Sequence, residues 1–226
     1  MSAKKVAIVD YGMGNLHSVA SALGVVSSNI EISVTANAEE IENADHVIFP
    51  GVGAIRDCIA EIKRLEFDRA VAKALADGKP VLGICVGMQS LMQLSEENEG
   101  VDCLGVLPGN VRFFSSNASF NNINEQCERP SERMKVPHMG WNQVQQKIDH
   151  PLWSSIPQNS RFYFVHSYYV DVSDNNIIAG QTTYGIPFTA AIARDNLFAT
   201  QFHPEKSHTH GLQLLKNFVN WNGKIA

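Results

Sequence analysis

Cysteine is scarce and scattered. The 226 residues hold four, Cys58, Cys85, Cys103 and Cys127, with no C-x-x-C pair and no disulfide-style spacing. That argues against a cross-linked secreted scaffold and suits a reducing compartment. Long apolar runs are missing too: nowhere is there a stretch able to span a bilayer. Met1-Ser2-Ala3-Lys4-Lys5 leads straight into a short strand pattern without an apolar signal core, so a cytoplasmic protein without a membrane partner is expected. Neither sign of charge is in large excess. Lys and Arg number 18 against 23 Asp and Glu, a net charge of −5, so nucleic acid and anionic membrane are poor candidates for the main partner. His203, His208 and His210 lie close together, but zinc needs three or four convergent ligands. His208-Thr209-His210 at a helix start reads as exposed polar sequence. No metal site and no cofactor are expected, and no internal repeat is present.

What is there is alternation. Strand patterns at 5–10, 31–35 and 45–49 are separated by helical patterns at 15–26 and 38–43, and two more helical patterns come next at 55–65 and 67–76. Asp77-Gly78-Lys79-Pro80 then stops the chain before the apolar run Val81-Leu82. Such alternation predicts a mostly parallel central sheet with helices on both faces, with ligands at the carboxyl ends of the strands. The second half is richer in β, with strands predicted at 110–114, 142–146, 161–170, 177–182, 187–193 and 197–202 and a closing helix at 210–221. Residues 115–134 are polar, Asn-rich and without apolar period, and read as a mobile loop. The fold class is a single α/β domain over 1–226, at a length suited to one sizeable core.

The most informative stretch is Gly83-Ile84-Cys85-Val86-Gly87. It comes after an apolar strand and precedes Met88-Gln89-Ser90-Leu91-Met92-Gln93-Leu94, which reads as an amphipathic helix. A lone Cys is usually a packed core thiol. Strand, glycine-flanked Cys and helix together make a nucleophile elbow with Cys in place of Ser. The turn displays the sulfur at the sheet edge and aims the first helix amides at it, where they favour thiolate and can hold an oxyanion. Cys58, Cys103 and Cys127 lack such a context and read as packing or loop residues. A thiolate needs a base, and the strand at 197–202 runs into His203-Pro204-Glu205. Histidine exchanges protons near neutral pH. Pro204 biases His203 towards extended backbone, and Glu205 can reach the same side. Alone, H-P-E reads as a solvated turn; beside the elbow it supplies the base and the orienting carboxylate of a Cys-His-Glu triad.

G-I-C-V-G-M-Q at 83–89 with Q-F-H-P-E-K-S at 201–207 resembles the class I (triad-type) glutamine amidotransferases. D-Y-G-M-G-N at 10–15, P-G-V-G at 50–53, P-H-M-G-W-N at 137–142 and F-Y-F-V-H-S-Y at 162–168 narrow the resemblance to the glutaminase subunits of imidazole glycerol phosphate synthases. It implies catalytic Cys85, His203 and Glu205, and an oxyanion hole from the backbone amides of Val52 and Val86. It implies L-glutamine contacts at Gly51, Gly53, Gln89, Glu97, Ser167 and Tyr168. It also implies a rearrangement of the P-G-V-G strand prompted by a partner, so that the isolated chain is a poor glutaminase. The implied partner is a separate (β/α)8-barrel cyclase that uses the ammonia in histidine biosynthesis, since such a barrel typically takes ~250 residues of its own. Asn15, Met139, Trp141 and Asn142 are expected on the face towards it. From the residues alone several readings stay open. P-G-V-G reads equally as a tight turn, Glu96-Glu97-Asn98-Glu99-Gly100 as a solvated acidic helix end, Tyr168 as an ordinary sheet residue and Trp141 as a core aromatic. Two other functions also stay open: a subunit feeding ammonia to a different acceptor, such as a surface-sugar synthase, and a catalytically degenerate scaffold.

Overall fold

The computed structural model describes residues 3–225. Apolar strands and amphipathic helices alternate from β1 (Lys4–Val9) through α1 (Leu16–Val26), β2 (Ile30–Thr35), α2 (Ala38–Glu42), β3 (His46–Gly51), α3 (Ile55–Arg64) and α4 (Phe67–Ala76) to β4 (Val81–Cys85) and α5 (Val86–Ser90). β3 and β4 are buried at every position, as strands covered on both faces must be. The chain continues through β5 (Leu94–Ser95), β6 (Val101–Asp102), β7 (Gly109–Phe113), α6 (Ala118–Glu125), β8 (His138–Gln143), β9 (Gln145–Gln146), β10 (Arg161–His166), β11 (Tyr168–Val172), β12 (Ile178–Tyr184), β13 (Ile186–Arg194), β14 (Leu197–Thr200) and α7 (His208–Asn220).

The main sheet runs β2-β1-β3-β4-β14-β13-β11-β7-β5-β6, with β12 on β13 and β9 on β12. From β2 to β14 all neighbours are parallel. Beyond β14 the sheet turns largely antiparallel. Right-handed crossovers out to β2 and back to β3 place α1 and α2 on opposite faces. Accordingly α1 packs with α7, while α2, α3, α4 and α5 pack among themselves. Among the described residues, no helix is long and apolar enough to cross a membrane.

Three sequence expectations are corrected. The polar stretch 115–134 is not a featureless loop. Asn117 caps α6 by accepting from the Ser119 and Phe120 amides, and one buried ring, Phe120, anchors the helix against Phe114 and Tyr184. A single anchor leaves no periodic signature. The predicted strand 161–170 is two strands in different sheets. β10 pairs with β8, β11 pairs with β7 and β13, and the break falls at Ser167. The predicted strand 142–146 divides likewise between β8 and β9.

The core also hides histidines. His150 sits between Phe198 and Trp221, and its Nδ1 accepts from the Leu152 amide at 3.1 Å. Burial pushes it down to about 4. A group whose folded value lies below its unfolded one of roughly 6.5 contributes stability that is complete above that value and lost as pH falls through the folded one. Tm should therefore fall as pH drops from about 6.5 towards 4. His150→Asn, which keeps a cap acceptor and cannot titrate, should shift that acid limb to lower pH in thermal melts. Identical limbs for the two proteins would show that His150 does not titrate there.

Candidate active site

Register brings the site together. Thr200 of β14 lies opposite Ile84 of β4, and Gly51 of β3 lies opposite Cys85. Three adjacent parallel strands therefore end at one edge, and each delivers its next residues there: Val52 after β3, the elbow after β4, and Gln201 to Glu205 after β14. Cys85 has φ 54° and ψ −111°, a conformation that costs of order 1–3 kcal/mol and persists only where its surroundings impose it. The glycines permit it by close packing. A Cβ on Gly87 would run into the Phe49 carbonyl, and one on Gly83 would lie 3.1 Å from the Ala199 Cβ. Gly51 works the same way: a Cβ there would strike the Tyr11 hydroxyl and stand 2.9 Å from the Gly87 nitrogen. Gly53 alone of the P-G-V-G pair needs its conformational freedom, at φ +105°.

The helix after the elbow is not amphipathic. α5 is five residues long and buried throughout, because it plugs the space between β3, β4 and α3. So short a helix contributes local amides and little macrodipole.

His203 is extended, at φ −97° and ψ 98°. Its backbone amide donates to the Tyr163 carbonyl at 3.0 Å and its carbonyl accepts from the Ser207 hydroxyl at 2.6 Å. Its Nδ1 donates to Glu205 Oε1 at 2.9 Å, with both side chains almost wholly buried. That bond leaves Nε2 as the nitrogen turned to the cavity it shares with Cys85, without a partner among the described residues. Burial alone would push His203 down. The negative charge of a nearby Cys85 thiolate and the hydrogen-bonded Glu205 carboxylate outweigh burial and raise His203 to about 10. Such a pair can generate a thiolate and hand a proton to a leaving group.

The sulfur opens onto a cavity of about 370 Å³ lined by Val52, Gly53, Val86, Gln89, Glu97, Ser167 and Tyr168, among others. Gly51 is not among the residues lining that cavity; it borders a separate crevice with Asn15 and Glu205. Glu97 sits at the cavity wall, half-buried. Its Oε2 accepts from the Ile55 amide at 3.2 Å and so caps α3, which has no side-chain cap of its own. Burial raises its pKa, the Ile55 amide opposes that, and Asp57 adds to it. Glu96 turns away to Arg112, the Phe113 amide and Ser116, so the first two carboxylates of the acidic run are engaged while Asn98, Glu99 and Gly100 are exposed. Gln89 is 3% exposed. Its Nε2 donates to the Tyr168 carbonyl at 3.1 Å and to Gln201 Oε1 at 3.0 Å, so both of its donors are spent inside the protein and only Oε1 is left for a ligand. Lys206, Pro137, Val165 and His166 also line the cavity, beyond the residues expected from sequence. One signal could have found the first of them: Lys206 directly succeeds H-P-E.

Of the four residues expected on a partner face, two point outward. Met139 is 64% exposed and Trp141 41%, with the Trp141 ring stacked on His208; Trp141 is thus not a core aromatic. The other two are half-buried, and their carboxamides are engaged within the chain. Asn15 donates to Glu205 Oε1 at 3.4 Å. Asn142 donates to the Thr183 carbonyl at 2.9 Å and to His138 Nε2 at 3.3 Å.

A parallel sheet edge that presents an elbow cysteine beside a buried His-Glu pair defines a class-I amidotransferase, and the chain belongs to that family: the pattern of "Glutamine amidotransferase class-I" matches residues 7–221. Within it the chain falls among the HisH subunits. It is 55% identical over 219 residues to imidazole glycerol phosphate synthase subunit HisH 1 of Pseudomonas aeruginosa, covering 97% of this chain and 98% of that one. It is 56% identical, with the same coverage, to the HisH subunit of Pseudomonas putida. Among solved structures, PurLQS from Thermotoga maritima shares the fold, with a TM-score of 0.72 over 97% of this chain and 99% of that chain at 19% identity.

Proposed function

We propose that this chain hydrolyses L-glutamine to glutamate and ammonia and passes the ammonia to a separate (β/α)8-barrel cyclase, which makes imidazole glycerol phosphate and AICAR in histidine biosynthesis. The observation that carries the reading is the buried His203–Glu205 pair turned towards Cys85 at the mouth of a cavity of glutamine size. Identity of 55–56% to HisH subunits supports the choice of acceptor over a surface-sugar synthase.

In this reading the Cys85 thiolate attacks the carboxamide carbon. The carbonyl oxygen becomes an oxyanion, held by the backbone amides of Val52 and Val86; each such donor typically supplies about 2.7–4 kcal/mol. His203 gives its Nε2 proton to the departing nitrogen, and ammonia leaves. It then takes a proton from water, which attacks the γ-glutamyl thioester and releases glutamate and the thiolate. Glu205 fixes the Nδ1–H tautomer and stabilises the imidazolium. Glu97 and the Gln89 carboxamide oxygen face the α-ammonium, with Gly51, Gly53, Ser167 and Tyr168 shaping the remainder. Met139 and Trp141 belong to the docking face, Trp141 as its aromatic anchor, while Asn15 and Asn142 serve that face through the residues they hold.

The test is glutamate release by the purified chain with and without its cognate barrel and the nucleotide substrate. Release should be slow alone and rise at least tenfold in the complex. Equal release with and without the barrel would remove the coupling from the proposal.

A further inference from the structure

Gln201 has no role in the chemistry above. It is wholly buried, lies one residue past the end of β14 and falls alongside Cys85 by strand register. Its Nε2 stands 3.7 Å from the Cys85 sulfur and donates to it.

Which end of that carboxamide faces the sulfur is set by a chain of bonds anchored on carbonyls. A carbonyl oxygen can only accept. The Gln89 atom 3.1 Å from the Tyr168 carbonyl is therefore nitrogen. The same nitrogen lies 3.0 Å from Gln201, so the facing Gln201 atom is oxygen and its other end, turned to sulfur, is N–H. The second lone pair of the Tyr168 carbonyl accepts from His166 Nδ1 at 2.7 Å. His166 Nε2 is then an acceptor, filled by His138 Nδ1 at 2.9 Å, and His138 Nε2 accepts from Asn142 at 3.3 Å. The far end gives the same polarity independently, because the Asn142 nitrogen is identified by the Thr183 carbonyl at 2.9 Å. The two imidazoles donate in turn towards the Tyr168 carbonyl, which the Gln89 nitrogen meets from its other side, and both imidazoles must be neutral for this arrangement to exist. Burial holds them so, pushing His138 to about 4 and His166 to about 3.

We infer that the Gln201 carboxamide is a dedicated hydrogen-bond donor to the Cys85 thiolate, oriented by Gln89 and the Tyr168 carbonyl and backed by the neutral His166–His138 pair. The inference rests on Cys85 being the nucleophile. An N–H donor stabilises sulfur more as thiolate than as thiol. It also offers the anion a partner on the side of the sulfur supplied by the buried sheet, so that the charge does not depend on His203 alone.

Gln201→Met keeps length and removes the donor. In the full-length chain, the pH at which iodoacetamide half-maximally alkylates Cys85 should rise by about one unit, a tenfold loss of thiolate. In the complex with the barrel, kcat/KM for glutamine should fall about tenfold or more with KM changed less than threefold. An unchanged alkylation midpoint together with unchanged kcat/KM overturns the inference. Should Gln201→Met not fold, the wild-type chain carries the test. The Gln201 side-chain N–H resonances should move with the pH titration of Cys85, and that movement should vanish in Cys85→Ala. Resonances that ignore the titration overturn the inference equally. Retained glutaminase activity in Cys85→Ala sinks instead the reading of Cys85 as nucleophile, so the two failures are distinct.

Discussion

Cys85→Ala is expected to lower glutamine-dependent turnover of the complex by on the order of 10⁴-fold or more, while ammonia-dependent turnover by the barrel stays within twofold of wild type. No other thiol can stand in, since none of Cys58, Cys103 and Cys127 lines the cavity. Cys58 and Cys103 are buried, and burial raises them to about 12 and about 11, which leaves almost no thiolate at neutral pH. The substitution should not unfold the chain. It removes one atom from a site whose backbone conformation is imposed by neighbours, so stability should change by about 1 kcal/mol. It should also alter how stability responds to alkali. His203 has a folded value above its unfolded one of roughly 6.5, so its contribution is complete below that value and fades as pH climbs through about 10. The thiolate supplies the strongest of the effects that raise it. Without the sulfur, His203 titrates at lower pH and the loss of Tm between about pH 6.5 and 10 becomes smaller. Coupled assays of glutamate and product formation, with melts at both pH values, check all three expectations. Glutamate release near wild type would show that the nucleophile lies elsewhere.

The elements that declare themselves in the sequence are those in which one residue type admits one explanation. Two glycines around a cysteine at a strand-to-helix switch need a close approach, and the collision that a Gly87 side chain would suffer supplies it. His203 and Glu205 sit two residues apart across a proline, so local backbone alone puts them in contact. The parallel half of the sheet is legible because apolar strands there are separated by amphipathic helices, one or two at a time. The features that stay hidden need partners distant in sequence. Ser167 breaks a continuous β pattern because β10 and β11 are claimed by different neighbours, and no local signal reports that. His138 lies outside any predicted strand and His166 reads as an ordinary strand residue until β8 and β10 are set in register, when their rings meet. Gln201 is invisible for the same reason: only the pairing of β14 with β4 carries it to the sulfur. Glu97 is visible as a charge, yet its bond to the Ile55 amide depends on how the 3-10 turn at Glu97–Glu99 meets the start of α3.

Gly87→Ala tests the elbow from its other side. A methyl group at residue 87 cannot be absorbed by a side-chain rotation, because what it meets is main chain: the Phe49 carbonyl oxygen, with the carbonyl carbons of Phe49 and Pro50 at 2.9 and 3.4 Å. Either β3 moves outward at its last residues or the first turn of α5 lifts off the sheet. Overpacking of this kind usually costs about 1–3 kcal/mol, and with rigid backbone on both sides the cost should lie at or beyond the upper end. At roughly 2–4 °C per kcal/mol for a domain of this size, Tm should drop by about 6–12 °C. The loss of activity should exceed what instability explains. The strand that moves ends in Gly51 and Val52, and the turn that moves carries the Val86 amide, so whichever yields, one of the two proposed oxyanion donors leaves its position. Loss of one donor costs about 10²–10³ in kcat. At a temperature where the variant is fully folded, kcat for glutamine should therefore fall about a hundredfold or more, with KM much less affected. Alkylation of Cys85 by iodoacetamide, which needs the thiolate but no oxyanion hole, should fall far less. An equal loss in alkylation and hydrolysis would place the damage at the nucleophile and not at the hole. A melt unchanged from wild type would mean that β3 and α5 do not press together at Gly87 as described.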